Sequence, residues 1–257
     1  TDMVYPDPAL DVTFHYDQGI HGIGRLTQMQ DAAGTTDYAY DRRGNLIREA
    51  RTSGPLSLVT EYAYDTARMA KEEGLFNVFV TNGYMTDEAL EMIGPYLDAA
   101  NVDLKAFRDR YYKDLCGARL KHVRETLRRM KALGIFVEVT TLIVTGLNDD
   151  SVELGELAAF IANDLGTDTP WHISRFHPTY KLTDRSATPV KTLTKAREIG
   201  LAAGLKYVYT GNVPGNSGEN TFCPACGEMV IERWGFQVGK MRIKDGRCTL
   251  CGSGIDG

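Results

Sequence analysis

Four of the five cysteines fall in two close pairs, Cys223 with Cys226 in "CPAC" and Cys248 with Cys251 in "CTLC", with 21 residues between the pairs. Two C-x2-C knuckles can set four thiolates tetrahedrally around zinc at about 2.3 Å. A shell closed in that way serves folding rather than catalysis. The intervening "GEMVIERWGFQVGKMRIKDGR" reads as the strands and turns of a zinc ribbon, and Pro224, Gly227 and Gly252 suit tight knuckle turns. Four ordinary core cysteines would not need this spacing. The fifth cysteine, Cys116, stands alone in "KDLCGAR" and reads as a packed or surface thiol.

A second set of groups suits a ligand. "TNGY", "DLKAF", "TTLIVTGLNDD" and "RFHPTYKL" carry Asn82, Asp103, Lys105, Thr141, Asn148 and His177. Amide, carboxylate, ammonium, hydroxyl and imidazole together fit a small zwitterionic molecule bearing a ribose. Singly, each has a plainer reading: Asp103 and Lys105 as a solvated pair, Asn148 as a loop residue, His177 before Pro178 as a turn residue. Their recurrence on four successive segments favours a pocket.

The elements that must position these groups alternate. "NVFVT", "ANVDLKAF", "IFVEVTTLIVTG", "WHISRF" and "KYVYTG" read as strands. Between them lie amphipathic helices, one N-capped by Thr86, one stopped by Gly134, and one opened by Asp150 with Glu153 in a capping-box pattern. Strand and helix alternating at this spacing predict an α/β protein with a parallel sheet, whose ligands sit at the carboxyl ends of the strands. Residues 1–65 differ. Tyr16, Tyr40 and Tyr64 recur every 24 residues, and Gly24, Gly34, Gly44 and Gly54 punctuate short alternating runs, which predicts β-hairpins. Three domains follow: 1–65 hairpins, 66–212 β/α, 213–257 zinc ribbon.

Of the 257 residues, 43% are apolar and 25% charged, with a net charge of −5, which argues against a nucleic-acid-binding surface over the whole molecule. Arg233, Lys240, Arg242, Lys244 and Arg247, interleaved with Trp234 and Phe236, leave the ribbon itself as the minor candidate for that role. No apolar run approaches the roughly 18–20 residues of a membrane span, and no export signal opens the chain. Clustered cysteines without such a signal point to a reducing cytoplasm.

Two resemblances refine these readings. "YAYDRRGNLIRE" and its neighbours resemble YD (RHS) repeats, whose hairpins stack into large β-shells. "NVFVTNGYMT", "AANVDLKAF", "VTTLIVTGLNDD", "WHISRFHPTYKL" and "GNVPGNSGENTFCPACG" resemble the C-terminal part of AmmeMemoRadiSam-system radical SAM enzymes, relatives of pyruvate formate-lyase activating enzymes, from about residue 61 to 257. That resemblance implies a (β/α) barrel of which about four of six units are here, binding S-adenosylmethionine and a [4Fe-4S] cluster. It implies Thr81 and Asn82 at the methionine moiety, Lys105, beside Asp103, at its carboxylate, and Thr141 and His177 on the ribose and adenine side. The family's C-x3-C-x2-C triplet is absent from the sequence, so the chain alone is expected not to do radical chemistry. The two resemblances overlap at "EYAYD", which suggests a chimera-like junction there. A barrel short of two strands leaves a sheet edge, and homo-oligomers through that edge are expected. The alternative function is a non-enzymatic YD-repeat display module.

Overall fold

The computed structural model describes residues 2–3, 11–41, 44, 46–53, 56–61, 64–180, 182–213, 215–235 and 237–256, so Gly54 and Phe236 lie outside the described residues. The chain divides into two compact units, Thr1–Leu75 and Phe76–Gly257.

The first unit is an antiparallel meander of β1 (Asp2–Met3), β2 (Val12–Tyr16), β3 (Leu26–Asp31), β4 (Gly34–Tyr40), β5 (Leu46–Ser53) and β6 (Leu56–Glu61), followed by α1 (Tyr64–Glu72). Short-range turn chemistry makes the hairpins. The Asp31 carboxylate accepts from the N–H groups of Ala33 and Gly34 at 2.9 and 3.0 Å, closing the β3–β4 turn. Arg51 on β5 donates to both Asp31 oxygens at 2.9 Å, and its guanidinium holds that carboxyl below its ordinary range. The Tyr40 hydroxyl donates to Leu26 O at 2.6 Å, which ties a repeat tyrosine on β4 to the paired strand β3. The hairpins predicted from the tyrosine spacing are therefore present. The third tyrosine behaves differently: Tyr64 opens α1 instead of ending a strand. Beyond it, "TARMAKE" contains good helix formers and no alternating pattern, so the local preference changes there.

The second unit is built on a five-stranded parallel sheet: β7 (Val78–Thr81), β8 (Ala99–Asp103), β9 (Phe136–Ile143), β10 (Trp171–Arg175) and β11 (Val208–Gly211). The spatial order is the chain order, β11-β10-β9-β8-β7, and all four pairings are parallel. Crossovers of one hand without any reversal of strand order put the helices on one face, a singly wound arrangement with no switch point. The crossovers contain α2 (Asp87–Ile93), α3 (Asp109–Tyr111) with α4 (Leu120–Ala132), α5 (Ser151–Phe160) and α6 (Val190–Ala202). The expected caps are in place. Thr86 Oγ1 accepts from Ala89 N, Asp150 Oδ1 accepts from Val152 N and Glu153 N, and Gly134 ends α4 at φ 78°. Glu153 departs from the capping box: its carboxylate accepts from Phe107 N at 2.7 Å, because burial against the preceding crossover offers it an unpaired donor.

Period-2 alternation sorts the strands. Val102, Val139, Ile143, Trp171, Ile173 and Val208 are buried beneath the helices with Leu127, Met130 and Leu157. The opposite, helix-free face carries half-buried polar side chains. Gly200 lets α6 lie on Trp171; a Cβ there would sit 2.9 Å from the indole ring. The chain ends in a small antiparallel module: β12 (Thr221–Phe222), β13 (Met229–Trp234) and β14 (Gln237–Met241) in one sheet, and β15 (Ile243–Lys244) with β16 (Arg247–Cys248) in another. Its core is Cys223, Val230 and Cys248, with Ile231, Ile243 and Ile255 packed against them. Among the described residues no helix is long and apolar enough to cross a membrane.

Candidate functional site

A cavity of about 780 Å³ lies past the carboxyl ends of the parallel strands. Asn82 follows β7, Lys105 follows β8 and Phe176 follows β10, and all three line it, together with Tyr84, Tyr112 and Cys116. The Asn82 side chain accepts from Tyr84 N at 2.9 Å, and Thr81 Oγ1 accepts from Gly83 N at 3.2 Å, so a pair of local turns shapes the chain as it leaves β7. Gly83 at φ 69° has no room for a side chain, since a Cβ would meet Val102 at 2.6 Å.

Lys105 is fixed at both ends. Its N–H donates to the Tyr112 hydroxyl at 3.0 Å and its carbonyl accepts from Asn148 Nδ2 at 2.5 Å, while its ammonium pairs with Asp103 at 2.8 Å. Burial pushes the Tyr112 phenol well up, so its oxygen stays neutral as an acceptor. Asn148 is buried and fully spent: it also donates to Leu142 O at 2.9 Å and accepts from Val144 N at 2.7 Å. It clamps two loops and offers nothing to a ligand. Thr141 is likewise buried, donating to Leu104 O at 2.8 Å and accepting from Trp171 Nε1 at 3.0 Å. His177 is exposed and is not among the lining residues. The structure thus brings Asn82 and Lys105 together, reaches Asp103 through the ion pair, keeps Thr81 beside them, sets Thr141 and Asn148 beneath, and leaves His177 apart.

Two groups of residues escape a reading of segments that follow strands. Tyr112 and Cys116 enter the wall from the turn after α3, a position visible only once the crossover is folded. Burial pushes the Cys116 thiol up, with Lys105 pulling against it, so the lone cysteine is a neutral wall group. The second group is on the helix-free face. Glu138 Oε2 meets His172 Nε2 at 3.1 Å and Asn101 Nδ2 at 3.3 Å, Thr140 donates to Asn101 Oδ1 at 2.7 Å, and the His172 ring stacks on Tyr209 at 5.0 Å. Alternation along β9 and β10 was the available signal.

The four clustered cysteines converge. Their Sγ atoms all lie within 4.8 Å of one another, with Cys223 to Cys251 at 3.7 Å and Cys226 to Cys248 at 4.0 Å. A tetrahedron of thiolates at about 2.3 Å from a metal has edges of about 3.8 Å, so the set fits one ion. The knuckles turn as expected, with Gly227 N donating to Cys223 O and Gly252 N to Cys248 O, both glycines in the left-handed region. The Ser253 hydroxyl and then its N–H pull the Cys251 thiol down to about 6, while the neighbouring Cys226 thiol is raised. These four cysteines could bind a metal.

A parallel, singly wound sheet with a cavity at its carboxyl ends is the architecture of a radical SAM domain, and the Radical SAM superfamily model matches residues 34–161. Within that superfamily the chain is related to activating enzymes. It is 48% identical over 198 residues to an uncharacterised protein of Methanocaldococcus jannaschii, covering 76% of this chain and 59% of that one. It is 26% identical over 124 residues to the pyruvate formate-lyase-activating enzyme of Clostridium pasteurianum, covering 48% of this chain and 51% of the enzyme. The chain spans between half and three fifths of these relatives. A domain of the pyruvate-formate lyase-activating enzyme from Bacteroides vulgatus shares the fold, with a TM-score of 0.51 at 14% identity over 58% of this chain and 89% of that domain. The superfamily match begins at Gly34, inside the antiparallel meander. The superfamily's chemistry implies S-adenosylmethionine and an iron–sulfur cluster.

Proposed function

We propose that the cavity past β7 and β8 is part of an S-adenosylmethionine pocket in a partial radical SAM barrel that does not catalyse alone. One observation carries this reading: Lys105, its backbone held at both ends and its ammonium on Asp103, lines the same cavity as Asn82. A cation and an amide at strand carboxyl ends suit the carboxylate and amino-acid portion of the cofactor, with Thr81 shaping the turn beside them. Thr141 is support in this reading, and His177 needs the segment after β10 to move before it can touch a ribose. The 257 residues hold no C-x3-C-x2-C triplet, and no step through a cluster is assigned to them. Calorimetric titration of the full chain should detect S-adenosylmethionine binding, and Lys105→Ala should weaken it about tenfold by removing a charge-assisted contact. Failure of wild type and variant alike at millimolar ligand would sink the pocket.

The C-terminal cysteines hold zinc in this reading, as a folding element of a zinc ribbon. A cytoplasmic protein suits the free thiols. Among the described residues β7 has no strand partner on its outer side, and Val80 is 84% exposed, which supports homo-oligomers through that edge. The second reading, a YD-repeat display module joined near residue 65, is favoured by the hairpin meander and by the Tyr40 and Asp31 contacts. A nucleic-acid role for the ribbon is the weakest, because Arg233 donates to Thr221 and Arg247 to Gly252 O within the fold.

A further inference from the structure

A second cavity, of about 680 Å³, lies along α4 and is lined by Arg119, Lys121, Arg124 and Arg128 with Asp109 and Glu125. It is separate from the cavity described above: Val123 lines that one, and its neighbour Arg124 lines this one. Positive charge is in excess here. Arg119 and Lys113 share Asp109 at 3.1 Å each, Lys121 faces Glu125 at 3.6 Å, and Arg128 donates to Asp164 at 2.6 Å. With Arg124, five cations face three carboxylates.

Arg124 is the one left over. Among the described residues it has no ion pair and no hydrogen bond, and its Nε is buried without a partner. Arginine stays protonated in a protein, so this is a full charge without a counter-ion. Aromatic rings hold it in place: the guanidinium carbon is 5.0 Å from the Phe107 ring centre and 4.8 Å from that of Phe160. Arg128 sits over the same Phe160 ring at 5.1 Å, and like charges one helical turn apart repel. The start of α4 adds to the conflict. It has no side-chain cap and no acidic residue in its first turn, where Lys121 stands instead. The macrodipole is positive at this end, so the charge order opposes what helix stability alone favours and suits an anion.

We infer that this cavity binds a phosphate monoester, whose oxygens take the terminal N–H groups of Arg124 and the ammonium of Lys121. Both sets of donors are open. The terminal nitrogens of Arg124 have no partner among the described residues, and at 3.6 Å Lys121 and Glu125 attract each other without forming a hydrogen bond. A phosphate monoester brings three acceptor oxygens and nearly two negative charges, which matches the surplus here; a carboxylate brings one charge. The volume is in the range of roughly 300–1,000 Å³ that encloses a whole small molecule, so the organic part of the ester fits beside its phosphate.

The test titrates glycerol phosphate, inorganic phosphate and glutarate into the isotopically labelled full chain, followed by nuclear magnetic resonance. Glycerol phosphate should give saturable shifts at the Arg124 Nε–H and at the amides of residues 121 and 122. Arg124→Gln should weaken it about tenfold by removing a charge-assisted contact. Lys121→Gln, at a side chain that is 76% exposed and tolerates change, should weaken it about two- to fivefold even if Arg124→Gln proves unstable. Lys195→Gln, an equal change of charge at an exposed position on α6, should leave the affinity unchanged. Absence of saturable shifts at millimolar ligand, or equal affinity in wild type and the α4 variants, would overturn the site. So would equal weakening by Lys195→Gln, which would mean diffuse surface charge. Glutarate binding as tightly as glycerol phosphate would overturn the phosphate assignment, and inorganic phosphate binding as tightly would overturn the ester.

Discussion

Thr141 offers the sharpest way to separate structural from ligand-binding roles. Its hydroxyl accepts from the Trp171 indole and donates to Leu104 O, and Thr141, Trp171 and Leu104 are each 0% exposed. Thr141→Val keeps the shape and removes both bonds, leaving a buried indole N–H and a buried carbonyl without partners. Each of the two orphans costs about 1–3 kcal/mol, and the added methyl returns about 0.8 kcal/mol, so a net loss of about 1–5 kcal/mol is expected. Thr141→Ser keeps the hydroxyl and should cost only about 1 kcal/mol for the missing methyl. The chain has two tryptophans, so urea unfolding followed by fluorescence in a Trp234→Phe background reports on Trp171 alone. The melting temperature should fall by about 2–4 °C per kcal/mol for a unit of this size. S-adenosylmethionine affinity, measured where the variant is still folded, should stay unchanged. A Val variant as stable as the Ser variant would refute this account, and a stable variant that lost the cofactor would make Thr141 a ligand contact after all.

Metal analysis of anaerobically purified protein should find about one zinc per chain and no iron, with chelation unfolding the C-terminal module; three or more irons would replace zinc by a cluster. Asp150→Ala removes the acceptor for Val152 N and Glu153 N and should cost about 1 kcal/mol by urea denaturation; no change would mean that water serves as well. Glu138 has a folded-state pKa below its ordinary 4.5, so the stability it contributes is present above that value and lost as pH falls through the lower one. The gap between wild type and Glu138→Gln should therefore shrink as pH falls below 4.5, and a pH-independent gap would contradict the contacts that hold this carboxylate. Glu153 runs the other way. Burial pushes its carboxyl up, so stability falls as pH rises from its ordinary value to the higher one, and Glu153→Gln should flatten that slope in the same titration.

Much of the architecture was legible from local pattern. The five parallel strands, the helix ends at Thr86, Gly134 and Asp150, and the cysteine knuckles all follow from interactions within a few residues. Reading the site was less complete for a physical reason. A residue after a strand is at the rim, but whether its side chain points to the ligand or is consumed beneath it depends on neighbours far along the chain. Asn148 meets Lys105 across 43 residues and Thr141 meets Trp171 across 30. The same distance hid Glu153, which turned from its helix cap to Phe107 N, 46 residues away.

By itself, then, the sequence determined the classes of element and the metal-binding set, because hydrogen-bond caps, hydrophobic period and C-x2-C spacing act over one turn or one hairpin. Tertiary structure alone decided which polar groups remained unspent. The strand register put Glu138, His172 and Asp103 on the helix-free face and buried Thr141 on the other, since a shift of one residue in a pleated strand exchanges the two faces.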